Sequence, residues 1–277
     1  MMPTLQFARS VRRRWLPPDA APVRAARTVT RWALACAYPR GVPVHIGNAG
    51  EFRILPALAV GSLDYASWGT GKNAGFTAWV VACRGKRAAF DIGAHIGLYA
   101  MPASRVLASG GRCYAFEPAA ANADALERHC VLNGCANVTV TRALVGATVR
   151  DAVPFFEQAV VVGMNSIVVT KHEDRYERMV RPQVTVDAFC AAHDVVPEVV
   201  KIDVEGGEIG VLVGARATFA RARPRVFLSV HPRHLVALGT SVAALADCIR
   251  DLKYRVTDVL GNPADVHHCT EVILEPM

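Results

Sequence analysis

Three groups of residues in this chain have types and spacing that could do chemistry. The first is Phe90-Asp91-Ile92-Gly93-Ala94-His95-Ile96-Gly97, an apolar run that passes through an acid into a turn framed by two glycines. Glycine lets a backbone turn sharply and approach a ligand closely, so the run reads as a buried strand that hands over to a helix at a ligand-facing turn. A tight turn without a ligand is the plainer alternative for this run alone. The second group is Tyr114-Ala115-Phe116-Glu117-Pro118, where Glu117 ends the next apolar stretch. An acid in that place of a nucleotide-binding α/β unit accepts hydrogen bonds from ribose hydroxyls. The third joins Val200-Lys201-Ile202-Asp203-Val204-Glu205 to Ser229-Val230-His231, which closes a later apolar run.

The first two groups narrow the choice of nucleotide. A dinucleotide lays its pyrophosphate on a G-x-G-x-x-G turn, where helix N–H groups meet the anion. Here the spacing is D-x-G-x-x-x-G, and a carboxylate at Asp91 would repel phosphate while attracting an ammonium group. S-adenosylmethionine has no phosphate and carries both an α-ammonium and a sulfonium. The charges therefore favour it over NAD.

The elements that must position these residues alternate in type. From residue 87 onward the pattern predicts strand Ala88 to Ile92, helix Leu98 to Leu107, strand Arg112 to Glu117, helix Ala120 to Leu132 and strand Val138 to Thr141. It resumes with strand Val199 to Val204, helix Glu208 to Ala220, strand Arg225 to Val230, helix Ser241 to Leu252, and strands Tyr254 to Val259 and Glu271 to Leu274. Such alternation predicts a mostly parallel sheet covered on both faces. Between them, β-rich runs at Val153 to Phe156, Val160 to Val162, Ile167 to Val169 and Gln183 to Val186 read as an inserted, largely antiparallel segment over residues 144 to 186. Residues 5 to 15 and 27 to 38 have helical spacing, and the Gly-rich stretch from Gly41 to Gly75 precedes a helix near Phe76 to Cys83 with room for a hairpin.

Taken together, the blocks at 90 to 97, at 114 to 118 with Asn122 and Leu126, and at Val200-Lys201-Ile202-Asp203-Val204-Glu205-Gly206-Gly207-Glu208 with Val211-Leu212-Val213-Gly214-Ala215 resemble the FkbM family of S-adenosylmethionine-dependent methyltransferases. Thr185-Val186-Asp187 and Asn165-Ser166 are similar to the family as well. The resemblance implies a Rossmann-like class I methyltransferase, with a mostly parallel seven-stranded sheet and helices on both faces. Residues 84 to 277 would form that domain, with the β-rich insertion inside it, and residues 1 to 83 a basic arm and small β/α extension. It implies that Asp91, Gly93 and Gly97, with His95 in the same turn, hold the methionine end of S-adenosylmethionine and that Glu117 holds the ribose. Asp203 and Glu205 would face the reaction centre. It also implies O-methylation of a hydroxyl on a sugar, glycan or polyketide-type product. This chain departs from the family pattern at His95, where Asn is usual, and at Ser229-Val230-His231, where an acid commonly ends the strand.

An alcohol is a very weak acid, so a base or a metal must take up its proton as the new bond forms. His231 is the expected base, since an unperturbed imidazole titrates near neutral pH; a strand-end histidine bonded to backbone is the plainer alternative. Asp203, Glu205 and His231 could also form a two-carboxylate, one-histidine site for a hard divalent ion. With no acid ending the fifth strand, no metal is expected. An ion pair with a neighbouring acid is expected for Lys201, and a turn for His267-His268-Cys269.

Composition sets the limits. The 277 residues are 52% hydrophobic, enough for a sizeable core, which excludes disorder throughout. The formal charge of +7 is concentrated at the start, where residues 1 to 60 hold nine arginines against Asp19 and Glu51. That arm could contact nucleic acid or an anionic membrane face, but a solvated extension is the expectation, because the rest of the chain is neutral. No nucleic-acid partner is expected. A nucleic-acid methyltransferase and a catalytically silent cofactor-binding module stay open as alternatives. The longest apolar runs, such as Trp32 to Tyr38, are too short to span a membrane, and the eight scattered cysteines read as reduced core residues, so a cytoplasmic protein is expected.

Overall fold

The computed structural model describes residues 29–30, 32–59, 65–70, 73–158, 161, 165–168 and 176–277. The expected helix over residues 5 to 15, most of the Val160 to Val162 run and the end of the Ile167 to Val169 run lie outside them. The first strands are β1 (Val42–His45) and β2 (Glu51–Ile54), an antiparallel hairpin, followed by α1 (Gly75–Cys83). The alternating part begins with β3 (Ala88–Ile92), α2 (Ala100–Val106), β4 (Arg112–Phe116), α3 (Ala120–Asn133) and β5 (Val138–Thr141). The insertion supplies β6 (Leu144–Val145), β7 (Arg150–Glu157) and β8 (Glu177–Val184), and α4 (Val186–His193) leads out of it. Then come β9 (Val199–Ile202), α5 (Glu208–Gly214), α6 (Arg216–Ala222), β10 (Arg225–Ser229), α7 (Pro232–Ala237), α8 (Val242–Asp251), β11 (Tyr254–Thr257) and β12 (Glu271–Pro276).

The central sheet has seven strands in the order β11-β12-β10-β9-β3-β4-β5. Pairs among β10, β9, β3, β4 and β5 are parallel, and β12 runs antiparallel to both of its neighbours. Every residue of β3 and β9 is buried, as expected for strands covered on both faces. Successive side chains point to opposite faces, so the core splits in two. On one face Phe90, Ile92, Phe116, Val200, Ile202 and Leu228 pack against α4, α5, α6 and α8. On the other, Ala89, Cys113, Ala115, Val199, Phe227 and Ile273 pack against α1 and α2 and against Ile46, Phe52 and Ile54 of the hairpin region. The hairpin is thus seated directly on the sheet domain. His129 of α3 latches it, with Nε2 accepting from the Leu55 N–H at 2.9 Å and Nδ1 2.9 Å from the Ile96 carbonyl.

Two local expectations are corrected. The β-branched Thr185-Val186 continues as helix α4 and not as strand, because the Thr185 hydroxyl accepts from the Ala188 N–H at 3.0 Å and caps it. The single helix expected over 208 to 220 is two, α5 and α6, which meet at Ala215. Asp187 holds the start of the second, accepting from the N–H groups of Ala217 and Thr218 at 3.0 and 2.7 Å.

The insertion pairs β7 with β8 antiparallel, and β6 with β8 parallel. It is sewn to the domain along a glycine seam: a Cβ on Gly214 would overlap the Gly146 carbonyl oxygen, and one on Gly210 would touch the Gly146 and Ala147 backbone. All eight cysteines are free. No described helix is long and apolar enough to cross a membrane.

Candidate active site

The carboxyl ends of parallel strands leave a crevice where the crossovers diverge, and ligands of open α/β sheets bind there. In this chain the crevice is a cavity of about 350 Å³ beyond β3, β4 and β9. Gly93, His95, Glu117, Asn122, Asp203 and Glu205 line it, and Val145, Arg150 and Phe155 of the insertion close its far side.

Beyond the end of β4, Glu117 is buried at 5% exposure. One carboxylate oxygen accepts from the His95 N–H at 2.8 Å, and the other from the Ala119 N–H at 2.9 Å and the Asn122 amide at 3.4 Å. Burial pushes its carboxyl up to about 7, against the pull of those donors. Each carboxylate oxygen has two acceptor sites, so Oε2, with one donor among the described residues, keeps capacity for a ligand hydroxyl.

The first turn is built by unusual backbone. Gly93 has φ +84°, and a Cβ there would overlap the Asp203 carbonyl oxygen, so only glycine lets β3 end this close to β9. His95 sits at φ +50°, in the left-handed region where Asn and His are both enriched, which accounts for His where Asn is usual. Its buried Nε2 has no hydrogen-bond partner among the described residues, and burial lowers the ring to about 4, so it stands neutral in the cavity wall.

Two residues expected at the methionine end are placed differently. Asp91 does not line the cavity: it alternates with Ile92, which does, and therefore points to the opposite face of the sheet, 1% exposed, with its carboxyl raised to about 6 chiefly by burial. Gly97, at φ +89°, is also off the cavity, and a Cβ there would overlap the Leu126 side chain. Its role is close packing of the turn on α3. Gly97→Ala is expected to destabilise the fold by about 1 to 3 kcal/mol in urea unfolding, the cost of overpacking at a left-handed position.

A second cluster joins β9, the turn after it, α5 and the end of β10. His231 Nδ1 is 2.6 Å from Oε1 of Glu208, which is fully buried. With the Nδ1 proton given to Glu208, Nε2 is left as an acceptor; it lies 3.5 Å from Asp203 Oδ1 and 3.6 Å from Glu205 Oε2. Burial lowers the His231 pKa, but the bond to Glu208 and the charges of Glu205, Asp203 and Glu208 outweigh it and raise the group above its ordinary 6.5. For Asp203 burial raises the carboxyl, and Lys201, His231 and Ser229 overturn this and hold it low. Glu205 is raised, chiefly by burial. It occupies φ +50° ahead of Gly206 at +106°, and the Ser166 hydroxyl fastens this elbow by donating to the Glu205 carbonyl at 2.7 Å.

Asp203, Glu205 and His231 each bring one donor atom within 4.8 Å of the others. A divalent ion can be held at such spacing, yet the ion pairs of His231 account for the convergence by themselves. His267 and His268 lie in the turn ahead of β12, as expected. Sequence reasoning missed Glu208 as the partner of His231, although it opens α5 within the third block; no local pattern announces a contact with a residue on another strand.

The strand order, with one antiparallel strand inserted next to an edge and an acid-tipped second strand at the crevice, defines a Rossmann-like class I methyltransferase domain. Residues 91–256 match the methyltransferase FkbM domain, and the chain belongs to that family. Members of that family use S-adenosylmethionine. Among solved structures, the chain is similar to methyltransferase FkbM from Methylobacillus flagellatus KT, at 20% identity and a TM-score of 0.46, over 69% of this chain and 44% of that one. It thus spans less than half of that protein. It is also similar to the precorrin-6y C5,15-methyltransferase of Geobacter metallireducens GS-15, at 13% identity and TM-score 0.42, covering 74% and 87% of the two chains. The Methanococcus jannaschii fibrillarin pre-rRNA processing protein gives 12% identity and TM-score 0.45, covering 76% and 77%. No curated protein matches the chain.

Proposed function

We propose that this chain methylates the oxygen of a hydroxyl group on a sugar, glycan or polyketide-type product. The observation that carries the reading is His231, whose Nδ1 is held by Glu208 and whose Nε2 stands next to Asp203 and Glu205, two residues that line the cavity although His231 itself does not. The residues present fit S-adenosylmethionine: Glu117 has an oxygen to offer the ribose, and Gly93 and His95 line the same cavity. When bound, that group supplies an electrophilic methyl on a sulfonium. His231 Nε2 accepts the hydroxyl proton as the oxygen attacks, and Glu208 stabilises the imidazolium that forms. Asp203 and Glu205 place negative charge beside that imidazolium.

The same carboxylates argue about acceptors. Asp203, Glu205 and Glu208 set three acids at the reaction end, a field that repels a phosphodiester backbone and suits a neutral, hydroxyl-rich molecule. This favours the small-molecule or glycan reading over methylation of nucleic acid by way of the basic arm.

Calorimetric titration tests the donor end. S-adenosylmethionine is expected to bind and NAD is not, since no pyrophosphate cradle exists at the first turn. The Glu117 carboxyl, raised to about 7, is partly protonated at neutral pH in the free protein, and ribose hydroxyls need the ionised form as acceptor. Affinity should therefore climb from about pH 6 to about pH 8, with a proton released on binding at the lower end. Glu117→Gln should remove the slope; a flat profile in the wild type would place the ribose elsewhere. Turnover across a panel of methyl glycosides, followed with labelled donor, addresses the acceptor.

A further inference from the structure

Behind the reaction end lies a buried ammonium that the mechanism leaves unused. Lys201, in the middle of β9, has a side chain only 5% exposed, on the sheet face turned away from the cavity. Its Nζ is 2.8 Å from Asp203 Oδ2 and sits 4.3 Å from the centre of the Tyr99 ring. On the neighbouring strand its register partner is Asp91, whose two carboxylate oxygens have no hydrogen-bond partner among the described residues. Glu271 of β12 also faces this region, accepting from the Gly75 N–H at 3.1 Å and acting on Tyr99. The ammonium thus stands between two acids on adjacent strands, and it bonds only one oxygen of Asp203. The other, Oδ1, is the oxygen that faces His231 Nε2 at 3.5 Å.

We propose that Lys201 is a positioning residue: its ammonium clamps Oδ2 of Asp203 and so keeps Oδ1 charged and aimed at His231. The proposal rests on the reading of His231 as proton acceptor. A carboxylate in this place is costly without a partner, and burial alone would drive Asp203 to take up a proton. Lys201 is the largest of the influences that prevent it. Asp91 then has a role of its own, as the counter-charge that makes a buried ammonium tolerable, which explains an acid on the face that does not touch the cavity.

The experiment reads His231 directly, by NMR titration of the full chain labelled at histidine side chains, without ligand; His231→Gln identifies the signal. The groups that face His231 are Asp203 from the end of β9, Glu205 from the turn, Glu208 from α5 and His234 from α7. Taking away a nearby positive charge and nothing else would raise the imidazole pKa. Loss of the Asp203 carboxylate would lower it. Lys201→Met is expected to lower the His231 pKa as far as Asp203→Asn does, and the double substitution K201M/D203N is expected to lower it no further. Should Lys201→Met fail to fold, D91N/K201M removes one buried charge of each sign and takes the same measurement against D91N. A His231 pKa that rises or stays put without Lys201, or that drops further in the double variant, overturns the proposal. Failure of the base reading is separate: it would show as full activity in His231→Ala, with the NMR outcome unaffected.

Discussion

Replacing His231 with alanine is expected to lower the rate of methyl transfer by about 10² to 10⁴ while leaving S-adenosylmethionine affinity nearly unchanged. The split follows from geometry, because His231 does not line the cavity and meets it through Asp203 and Glu205. In the wild type the rate should rise with pH along a limb lying above the ordinary imidazole value of 6.5, since Glu208, Glu205 and Asp203 favour the protonated ring and only the neutral ring can accept a proton. Glu208→Gln should move that limb down, because it removes the carboxylate that holds the Nδ1 proton. A chelator should leave the rate untouched; if it abolishes activity, a divalent ion bound by Asp203, Glu205 and His231 activates the hydroxyl in place of the free imidazole. Full activity in His231→Ala would falsify the base assignment and leave the fold and donor standing.

Glu117→Ala is expected to weaken S-adenosylmethionine binding by about 1.5 to 3 kcal/mol, roughly 10- to 150-fold in Kd, the scale of hydrogen bonds to a charged group. The loss has two sources. The variant lacks the ribose acceptor, and it also frees the N–H groups of His95 and Ala119, which both bond to Glu117. The first turn would then lose one of the contacts that hold His95 in its left-handed conformation. Glu117→Gln separates the two, since an amide oxygen can still accept from one of these donors. Equal affinity in wild type and Glu117→Ala would show that the ribose is bound by other groups.

The residues expected at the donor end can be picked out of the sequence because they are local to one another. Glycines at 93 and 97 and an acid at the tip of the next strand declare themselves within two consecutive βα units, and the cavity does contain Gly93, His95 and Glu117. The side chain of Asp91 was misplaced for a reason the same sequence holds: in β3 it must point opposite to Ile92, and only one of the two can face the crevice. The reaction end is not local. Glu208 and His231 meet because β9 and β10 are neighbours in the sheet, and strand order is not written in any one segment. Thr185-Val186-Asp187 shows the converse, a stretch whose β-branched residues suggest a strand while a hydroxyl cap and an acid at the next helix start make it helical.

The glycine seam between α5 and the insertion has a consequence for transplanting parts between relatives. Backbone touches backbone at Gly146 and Gly214, with Gly210 packed beside them, so close backbone contact does much of the docking at this joint, where Val145 also enters the core. A graft that exchanges residues 147 to 184 for another β-rich segment should therefore seat in the same place, provided that these three glycines are kept and that the Ser166 hydroxyl, or a substitute donor, still ties down the Glu205 carbonyl. The wall contributed by Arg150, Val153 and Phe155 would change, and Glu117, Asp203 and His231 would not. The fold thus separates the insertion, which builds one wall of the cavity, from the frame that carries Glu117, Asp203 and His231.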